Sequence, residues 1–438
     1  MSLFKRKKKD APDVPKELDQ SYWAYVRRQF KKNKRALYSM YFVLVLATIA
    51  VFADFLANDK PIVAQYQGEW HFPVMKEYGV NMGIAKWPKQ FLNKDWKTLE
   101  YDFTIWPLIP YLPTNHDQAS NFAGPFDKQN VKSTKWRHWL GTDNLGRDVM
   151  SGMIHGTRIA FLVGIVSMSI AFIIGVVLGA LAGYFGDDRL RMSRGRLWLN
   201  LLFLFFAFFY GFQVRSTTLA DAFSNSFFSL LGEFFISLII FFGILGLANL
   251  IAIPLKKIPF LAKRVAFPMD IIITRFIEVV VSIPVLVLIL AVVAIAKPSI
   301  YNVMAIIGLV SWTGIARFVR AELLRIRRLE YIEAAHALGY SNIRTMFKHA
   351  VPNSLSPVFI AVAFGIASAI LIEAFLSFLG VGVPPETITW GKLLSISRSN
   401  PTAWWLAIFP GFAIFLTVTL FNLIGEGLTD AIDPRLKQ

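Results

Sequence analysis

The residues of this chain that could do chemistry offer charge and backbone shape rather than a reactive nucleophile. Among 438 residues there is no cysteine, which excludes disulfide scaffolds, thiolate metal sites and cysteine nucleophiles. The sequence has no Gly-x-x-x-x-Gly-Lys-Ser/Thr phosphate loop and no His-Glu-x-x-His site, so it offers neither the usual ATP site nor the usual zinc site. His336 and His349 lie on different predicted helices and are interpreted as ordinary surface or interface histidines. We therefore expect no catalytic residue, no metal ion and no cofactor on this chain.

The densest group of charged and small residues, His138-Trp-Leu-Gly-Thr-Asp-Asn-Leu-Gly-Arg-Asp148, stands just before a long apolar run. Asp143 and Arg147 are four residues apart, so they can pair across one helical turn. Thr142 or Asp143 is predicted to cap the helix that begins there. A structural role is the favoured interpretation, and a gate or a receptor contact is the alternative. We call this segment the helix-start motif; its candidate residues are Gly141, Asp143, Gly146, Arg147 and Asp148.

A second polar group lies between two apolar runs and is predicted to fold as a pair of short helices. Tyr331–Gly339 forms the first helix and Ser341–His349 the second. Gly339 is the joint, because glycine tolerates the positive φ that ends a helix, and the serine that follows can cap the second helix. The result is a projecting knob, on which the small side chains of Ala334 and Ala335 would let a partner surface approach closely.

The elements that position these motifs are membrane spans. Hydrophobic residues make up 55% of the chain, charged residues only 17%, and there are 39 phenylalanines. Soluble domains average roughly 45–50% apolar and about 25% charged residues, so this chain has more apolar surface than a soluble protein can bury. Leu197–Phe212, with about 16 residues, is near the lower length limit for a span. Seven other runs are long enough: Ala36–Ala57, Ile159–Phe185, Phe234–Leu255, Ile271–Ala296, Val303–Val319, Leu355–Gly380 and Ala403–Ile424.

Basic residues between the runs orient the spans through the positive-inside bias. The first 35 residues are strongly basic, including the run at positions 5–9, so the N-terminus is predicted to be cytoplasmic. The other basic loops are cytoplasmic only if Leu197–Phe212 is a real span, which gives eight spans and two cytoplasmic termini. The net charge of +17 is then explained by topology and anionic lipid, and nucleic acid is not expected as a partner. The loop residues are Arg189, Arg191, Arg194, Arg196, Lys256, Lys257, Lys263, Arg264, Arg317, Arg320, Arg325, Arg327, Arg328, Arg344 and Lys348.

The predicted spans divide the chain into six parts. A tryptophan-rich lobe outside the membrane is interpreted as a packed cap whose aromatic residues form its own core or lie at the membrane interface; a binding surface for a partner is the alternative. The parts are the basic cytoplasmic segment 1–35, the first span 36–57, the extracytoplasmic lobe 58–137, the motif and second span 138–186, an insertion with two predicted spans 187–268, and the remaining spans 269–438 with a cytoplasmic loop at about 321–353.

The cytoplasmic loop contains Glu333-Ala-Ala335, three residues, Gly339, nine residues and then His349-Ala-Val-Pro352-Asn353. This spacing resembles the EAA loop, which marks the permease subunits of binding-protein-dependent ABC importers. The Glu-Ala-Ala-x-x-x-Gly portion is weak alone, whereas the full spacing is specific. The loop also falls before the penultimate span, as in that family.

Further stretches resemble the C-type subunit of the dipeptide and oligopeptide group, which includes peptide, opine and nickel importers. The helix-start motif is similar to the sequence that precedes the second span in these permeases, and the lobe beginning Asn58-Asp-Lys-Pro61 looks like that of the microcin C-type oligopeptide permeases. The C-terminal stretches that match are Glu373–Gly380, Thr389-Trp390-Gly391, Phe409-Pro410-Gly411, Phe421–Leu428 and Asp433-Pro434-Arg435.

The resemblance implies an all-α membrane protein with the ABC importer permease fold: six core spans, here with an inserted pair, and a small extracytoplasmic lobe. It also implies a multi-pass protein of the bacterial inner membrane that forms half of a peptide channel. The implied partners are a second homologous permease, two ATPase subunits or domains that hold ATP and Mg, an extracytoplasmic solute-binding protein and lipid. The residues implied to couple the channel to the ATPase are Glu333, Ala334, Ala335, Gly339, His349 and Pro352.

Ionisable residues inside predicted spans are costly and indicate function by default. Arg275 and Glu278 are i,i+3 and can pair with each other, whereas Glu373 either lines the peptide pathway or bonds to a neighbouring helix. Pro284 is expected to kink its span. Glu278 and Glu426 stand where the family suggests Asp, which keeps the charge. The candidate polar residues of the pathway or membrane are Arg275, Glu278, Glu373, Asn422 and Glu426.

Two other functions remain open from the sequence. A nickel or opine importer would share these motifs. A membrane anchor or sensor without transport would need only the spans and the lobe, and the EAA-like loop argues against it. The inserted pair is interpreted as peripheral spans that contact lipid or a partner.

Overall fold

The computed structural model describes residues 22–432 except 93, 130, 132, 226 and 256. The basic run at 5–9, most of the predicted N-terminal segment, Lys256 and the Asp433-Pro434-Arg435 motif therefore lie outside the described residues. The helices are α1 (Tyr22–Lys32), α2 (Lys34–Val51), α3 (Ala53–Leu56), α4 (Pro73–Asn81), α5 (Val149–Ala180), α6 (Arg194–Phe208), α7 (Ser216–Asn225), α8 (Phe227–Leu255), α9 (Pro259–Ala262), α10 (Met269–Ser282), α11 (Val285–Ile295), α12 (Ile300–Ile326), α13 (Glu330–Ala337), α14 (Asn342–Thr345), α15 (Val351–Ser354), α16 (Ser356–Leu379), α17 (Trp390–Ser397) and α18 (Trp405–Ile432). The strands are β1 (Val63–Tyr66), β2 (Glu69–His71), β3 (Phe103–Ile105), β4 (Arg191–Ser193) and β5 (Arg264–Ala266).

Seven helices of the described part are long and apolar enough to cross a membrane, and the bent pair α10 and α11 makes eight if it is one span. One of these helices, Arg194–Gln213, contains the short run Leu197–Phe212, which must be a span if the basic loops on both sides of it are cytoplasmic. The second span differs from its predicted bounds, since it begins at Val149 rather than Ile159. The helix continues through polar residues there because they find partners on the chain of the first span: His155 Nε2 lies 2.9 Å from the Ala57 carbonyl oxygen and Arg158 Nε donates to the Ala50 carbonyl at 2.8 Å.

α5 continues into a π-helical turn, Leu181–Phe185, and packs against α12 at the centre of the membrane part. A stripe of glycines on α5 and this turn lets the two backbones approach. A Cβ added at Gly175, Gly179 or Gly183 would lie within 3 Å of a carbonyl oxygen of α12. Small residues of this kind are typical of helix interfaces in lipid, where close packing replaces the hydrophobic effect as the driving force. The pair is therefore packed at backbone distance over Gly175–Gly183. α16, α17, α18 and α2 complete the bundle around it.

The predicted kink at Pro284 is confirmed as a full break. α10 and α11 meet at an angle of 77°, and Ile283 between them is extended, with ψ of 128°. Proline has no N–H for the helical hydrogen bond and disfavours a helical residue before it. The run Ile271–Ala296 therefore forms two short helices rather than one straight span.

The lobe, residues 58–137, has a small sheet and an aromatic cluster. β1 pairs antiparallel with both β2 and β3, with Ala64 opposite His71 on one side and Thr104 on the other. Trp96 is buried and stacks on Phe91, with 4.8 Å between the ring centroids. The interpretation of the lobe as a cap with its own aromatic core is supported for this cluster, although Trp70 on β2 is exposed.

The insertion folds as a separate hairpin of α6 and α8. Its two ends are joined by the antiparallel strands β4 and β5, so the chain leaves and re-enters the bundle at one place. Inside the hairpin, the Asn200 and Asn249 amides bond to each other at 3.1 and 3.4 Å. Many of the large apolar side chains of α6 and α8 are exposed, which is consistent with the predicted peripheral position in lipid.

Candidate functional site

The predicted knob is a loop of short helices between α12 and α16, and its joint has the predicted geometry. Gly339 has φ of +79°, a conformation that costs side-chain-bearing residues about 1–2 kcal/mol. Its N–H donates to the His336 carbonyl at 2.9 Å, and the next N–H, of Tyr340, donates to the Ala335 carbonyl at 3.1 Å. These bonds satisfy the end of α13 and turn the chain into the second helix.

The second half of the loop begins as predicted but is not one helix. Ser341 is the N-cap, and its Oγ accepts a hydrogen bond from the Arg344 N–H at 3.4 Å. α14 ends at Thr345, and a π-helical turn, Met346–Ala350, leads into α15. Met346 and Ala350 are buried in the same apolar core as α5 and α12, so the wider turn places them against the bundle.

The loop is fastened to the bundle from within. Ile332 is fully buried and Ala335 nearly so, and Tyr184, at the end of the α5 span, lies with its hydroxyl 3.1 Å from His336 Nε2. The prediction that both Ala334 and Ala335 face a partner is therefore wrong for Ala335, which packs inward because it is on the helix face of Ile332. Ala334 is exposed.

The outward face of the loop is apolar. Leu338 and Ile343 are 75% and 64% exposed, and Phe347 is also exposed. Glu333 is exposed on the same short helix as Ala334, and Pro352 is exposed on α15. Exposed apolar patches bordered by charge mark interaction surfaces. We call Leu338, Ile343 and Phe347, together with Tyr331 and Tyr340, the apolar face of the loop.

The Ser341 cap can be tested by its removal. Ser341→Ala deletes one capping acceptor, which costs about 1 kcal/mol, and amide exchange of α14 is expected to become about fivefold faster because local opening follows this free energy. Exchange of α13 should not change. The measurement is hydrogen–deuterium exchange of the detergent-solubilised chain, and equal rates in α14 of both proteins would contradict the capping assignment.

The helix-start motif lies at the opposite end of α5 and is a tight turn, not a helical one. Asp143 Oδ1 accepts from the N–H groups of Leu145 and Arg147 at 2.8 and 2.9 Å, and its Oδ2 accepts from Arg147 Nε at 2.6 Å. Both side chains of the predicted pair are buried. The pairing is confirmed, but the backbone reaches it through a loop in which Gly141 and Gly146 have φ of +79° and +73°.

The cap of α5 is Asp148, so the predicted cap at Thr142 or Asp143 is wrong. Asp148 Oδ1 accepts from the Ser151 N–H at 2.6 Å, and its Oδ2 lies 2.8 Å from Nδ1 of the buried His138. Asp143 is unavailable as a cap because the turn uses both of its oxygens. The Thr142 carbonyl accepts from Trp405 Nε1 at 3.0 Å, which joins the motif to α18.

The polar residues predicted in the spans have separate positions. Arg275 pairs with Glu278 at 2.6 Å, as expected, and both are exposed. Glu373 is buried, and its Oε1 accepts from Ser377 Oγ at 2.6 Å within the same helix, so both alternatives for its role stay predictions. Asn422 and Glu426 are exposed on α18. The structure does not bring these residues together with either motif.

Three contacts of the site were not predicted from the sequence. The contact between Tyr184 and His336 has no local signal because the two residues are distant in the chain. The contact between His138 and Asp148 has none because Asp148 is one of several charged residues in the same motif. Asp270, in the first turn of α10, binds Arg320 of α12, whose Nη2 is 2.7 Å from Asp270 Oδ2. An acidic residue in the first turn beside a basic loop was the available signal for this last pair.

α5 connects the two motifs directly. The continuous helix Val149–Phe185 contains 37 residues, or about 55 Å at 1.5 Å per residue. The first turn of α5 is capped within the helix-start motif, and Tyr184, in the π-helical turn Leu181–Phe185 that continues α5, contacts the loop. This helix therefore connects the helix-start motif to the inner side of the loop.

The sequence matches two families of transport proteins. The family described as binding-protein-dependent transport system inner membrane component matches residues 260–438. The N-terminal transmembrane domain of oligopeptide transport permease C matches residues 21–71. The second of these covers the first span and the beginning of the lobe.

Individual relatives agree with these matches over most of their length. The chain is 28% identical to the peptidoglycan transport system permease protein YejE of Agrobacterium fabrum over 93% of this chain and 92% of that protein. It is 28% identical to the inner membrane ABC transporter permease protein YejE of Escherichia coli over 95% of this chain and 97% of that protein. It is 32% identical to the glutathione transport system permease protein GsiD of Pectobacterium atrosepticum over 75% of this chain and 81% of that protein.

Proposed function

Because this chain belongs to the family of binding-protein-dependent transport system inner membrane components, as a permease subunit of an oligopeptide-type ABC importer, we propose that it forms half of a channel for peptides. The observation that carries the mechanism is the loop: an exposed apolar face on short helices that are fastened from within to the bundle and to α5. A surface of this kind can receive movement from a partner and pass it to the spans as a rigid body.

The proposed partners follow from the family and from the absence of a phosphate-loop motif in this sequence. One of the two ATPase subunits or domains binds the apolar face of the loop on the cytoplasmic side, where the exposed Glu333 can meet a basic residue. The two ATPases hold the ATP and Mg. A second, homologous permease provides the other half of the channel, and an extracytoplasmic solute-binding protein delivers the substrate. This chain itself hydrolyses nothing and carries no cofactor. Its N- and C-termini are cytoplasmic, and the lobe faces outward from a bacterial inner membrane.

The substrate class is supported by the relatives' names, which include peptidoglycan, glutathione and dipeptide transport. A nickel or opine importer is the second candidate, since the sequence motifs of that group are shared. A free amino group, a carboxylate and a backbone amide are common to the peptide substrates, whereas a metal ion has none of them. Peptide and nickel uptake can therefore be separated directly.

The function is tested with the complete transporter in proteoliposomes, with its own solute-binding protein on one side and ATP on the other. We expect ATP-dependent accumulation of a radiolabelled tripeptide at least tenfold above the same vesicles without ATP, and suppression by excess unlabelled peptide. Labelled nickel should not accumulate. Accumulation of nickel or an opine without peptide would assign the second candidate, and purified complexes without an ATPase would contradict the importer mechanism.

A further inference from the structure

A cleft of about 570 Å³ opens in the lobe beside the helix-start motif. Small-molecule sites usually have volumes of roughly 300–1,000 Å³ and combine apolar walls with a few convergent polar groups. This cleft has that composition: Tyr111 and Trp136 supply aromatic surface, and Lys97, Asn115, Asp95 and Asp117 supply polar groups.

The basic group of the cleft is Lys97, whose ammonium lies beside two aromatic rings. Lys97 Nζ lies 3.6 Å from the centroid of the Tyr111 ring and 5.2 Å from that of Trp136. Within the described part of the chain, its ammonium makes no ion pair and no side-chain hydrogen bond. Burial lowers the pKa of Lys97 to about 8, although the Asp95, Asp59, Asp148 and Asp117 carboxylates act in the opposite direction. An anionic ligand group would therefore find an ammonium that the lobe has partly desolvated.

The acidic groups of the cleft retain oxygens that can accept from a ligand. Asp95 and Asp117 each use one carboxylate oxygen for a backbone N–H of a short 3₁₀ turn, at 2.9 and 3.2 Å. The other oxygen of Asp117 is 3.5 Å from Nε2 of His138, which is fully buried and has no hydrogen-bond partner. Asp59 differs, because its carboxylate is already met by Lys60 at 3.3 Å and by the Asn115 amide at 3.3 Å. Asp95 and Asp117 are thus the acceptors for a ligand ammonium.

We propose that this cleft binds a short peptide by its two charged ends, with the carboxylate at Lys97 and the ammonium at Asp95 and Asp117. The inference rests on the proposed function and extends it, because it gives the permease itself a contact to substrate outside the membrane. Charge-assisted bonds to carboxylate and ammonium groups are roughly twice as strong as neutral ones, and the two aromatic rings add surface against the peptide between them. The complementary charges within one cleft select a zwitterion over a simple cation or anion.

The position of the cleft connects an occupant to α5. The Tyr111 ring, beside which the Lys97 ammonium lies, packs against the His138 ring with 4.3 Å between centroids. His138 in turn contacts Asp148, the N-cap of α5. The Tyr111 carbonyl also accepts from Ser151 Oγ in the first turn of α5, at 2.8 Å. A bound peptide would therefore touch the group that fixes the start of the helix leading to the cytoplasmic loop.

The test uses the assembled transporter in nanodiscs without its solute-binding protein, with calorimetry of trialanine, N-acetyl-trialanine and trialanine amide. We expect saturable binding of trialanine and at least tenfold weaker binding of each blocked peptide. Lys97→Met should weaken trialanine binding at least tenfold and remove the difference between trialanine and its amide. Lys97→Arg should bind within threefold of the unchanged protein, because the cation is retained.

Lys135→Met is the matched control. Lys135 also lies beside the Trp136 ring, at 5.5 Å from its centroid, but it does not line the cleft, so trialanine binding should not change. Absent binding, equal affinity for trialanine and its amide in the unchanged protein, or unchanged binding by Lys97→Met would each overturn the site. Peptide uptake by the complete transporter alongside any of these results would leave the proposed function standing, whereas absent peptide uptake would remove that function itself.

Discussion

Peptide uptake is expected to fall to background, more than 100-fold, when Leu338 and Ile343 on the apolar face of the loop are both replaced by aspartate. Burial of each side chain by the ATPase contributes roughly 1.5–3 kcal/mol, and placing an unpaired carboxylate in the same contact costs several more. A combined loss of more than about 5 kcal/mol corresponds to over three powers of ten in affinity. Uptake of labelled tripeptide and the amount of ATPase that co-purifies with the tagged chain measure the effect.

The control places the same change at the other end of the molecule. Ile84 and Leu108 of the lobe are 80% and 69% exposed, so their double replacement by aspartate matches the chemistry and exposure without touching the loop. ATPase co-purification should be unchanged in this control. If the Leu338 and Ile343 variant retained a full complement of ATPase, the loop would not be the coupling surface.

Gly146→Ala is expected to destabilise the helix-start motif enough to prevent assembly. A Cβ at this position would overlap the backbone carbonyl of Asp117, which cannot move aside like a flexible side chain. The φ of +73° adds its own cost. Positive φ costs about 1–2 kcal/mol and overpacking a further 1–3 kcal/mol, which together are comparable to a large part of a typical domain's stability. The measurement is the yield and thermal unfolding of the detergent-solubilised complex.

Gly68→Ala separates the two contributions. Gly68 has φ of +81° in the turn between β1 and β2, but a Cβ there would meet nothing within 4 Å. This variant should lose only the conformational term, about 1–2 kcal/mol, and should assemble. Equal behaviour of the two variants would show that the contact between Gly146 and Asp117 does not support the motif.

The sequence predicted what local chemistry determines. Span count followed from the length of apolar runs, and the Gly339 joint and Ser341 cap followed from residues that act on their own backbone neighbours. The short run Leu197–Phe212, which charge parity predicts to be a span, lies in the helix Arg194–Gln213, which is long and apolar enough to cross a membrane. The break at Pro284 was also local, although its angle depends on how α10 and α11 pack.

The sequence predictions were wrong or incomplete where two local preferences of the backbone competed, or where a contact joins residues that are far apart in the chain. At Asp143 the four-residue spacing suggested a helical turn, but Gly141 and Gly146 at positive φ made a loop that consumed both carboxylate oxygens. The contact that fastens the first helix of the loop joins His336 to Tyr184, which is 152 residues away in the chain. Likewise, the cleft around Lys97 joins residues from four parts of the lobe, and no spacing in the sequence indicates it.

The length of the continuous helix Val149–Phe185 has a consequence for how it lies in the membrane. A bilayer has a hydrocarbon core of about 30 Å, well short of this helix, so both ends reach beyond the lipid tails. The distance between the helix-start motif and the loop is therefore set by helix geometry and not by bilayer thickness. A change in lipid chain length would tilt the helix and change how much of its two ends lies outside the hydrocarbon core. It would not change the distance between the helix-start motif and the loop.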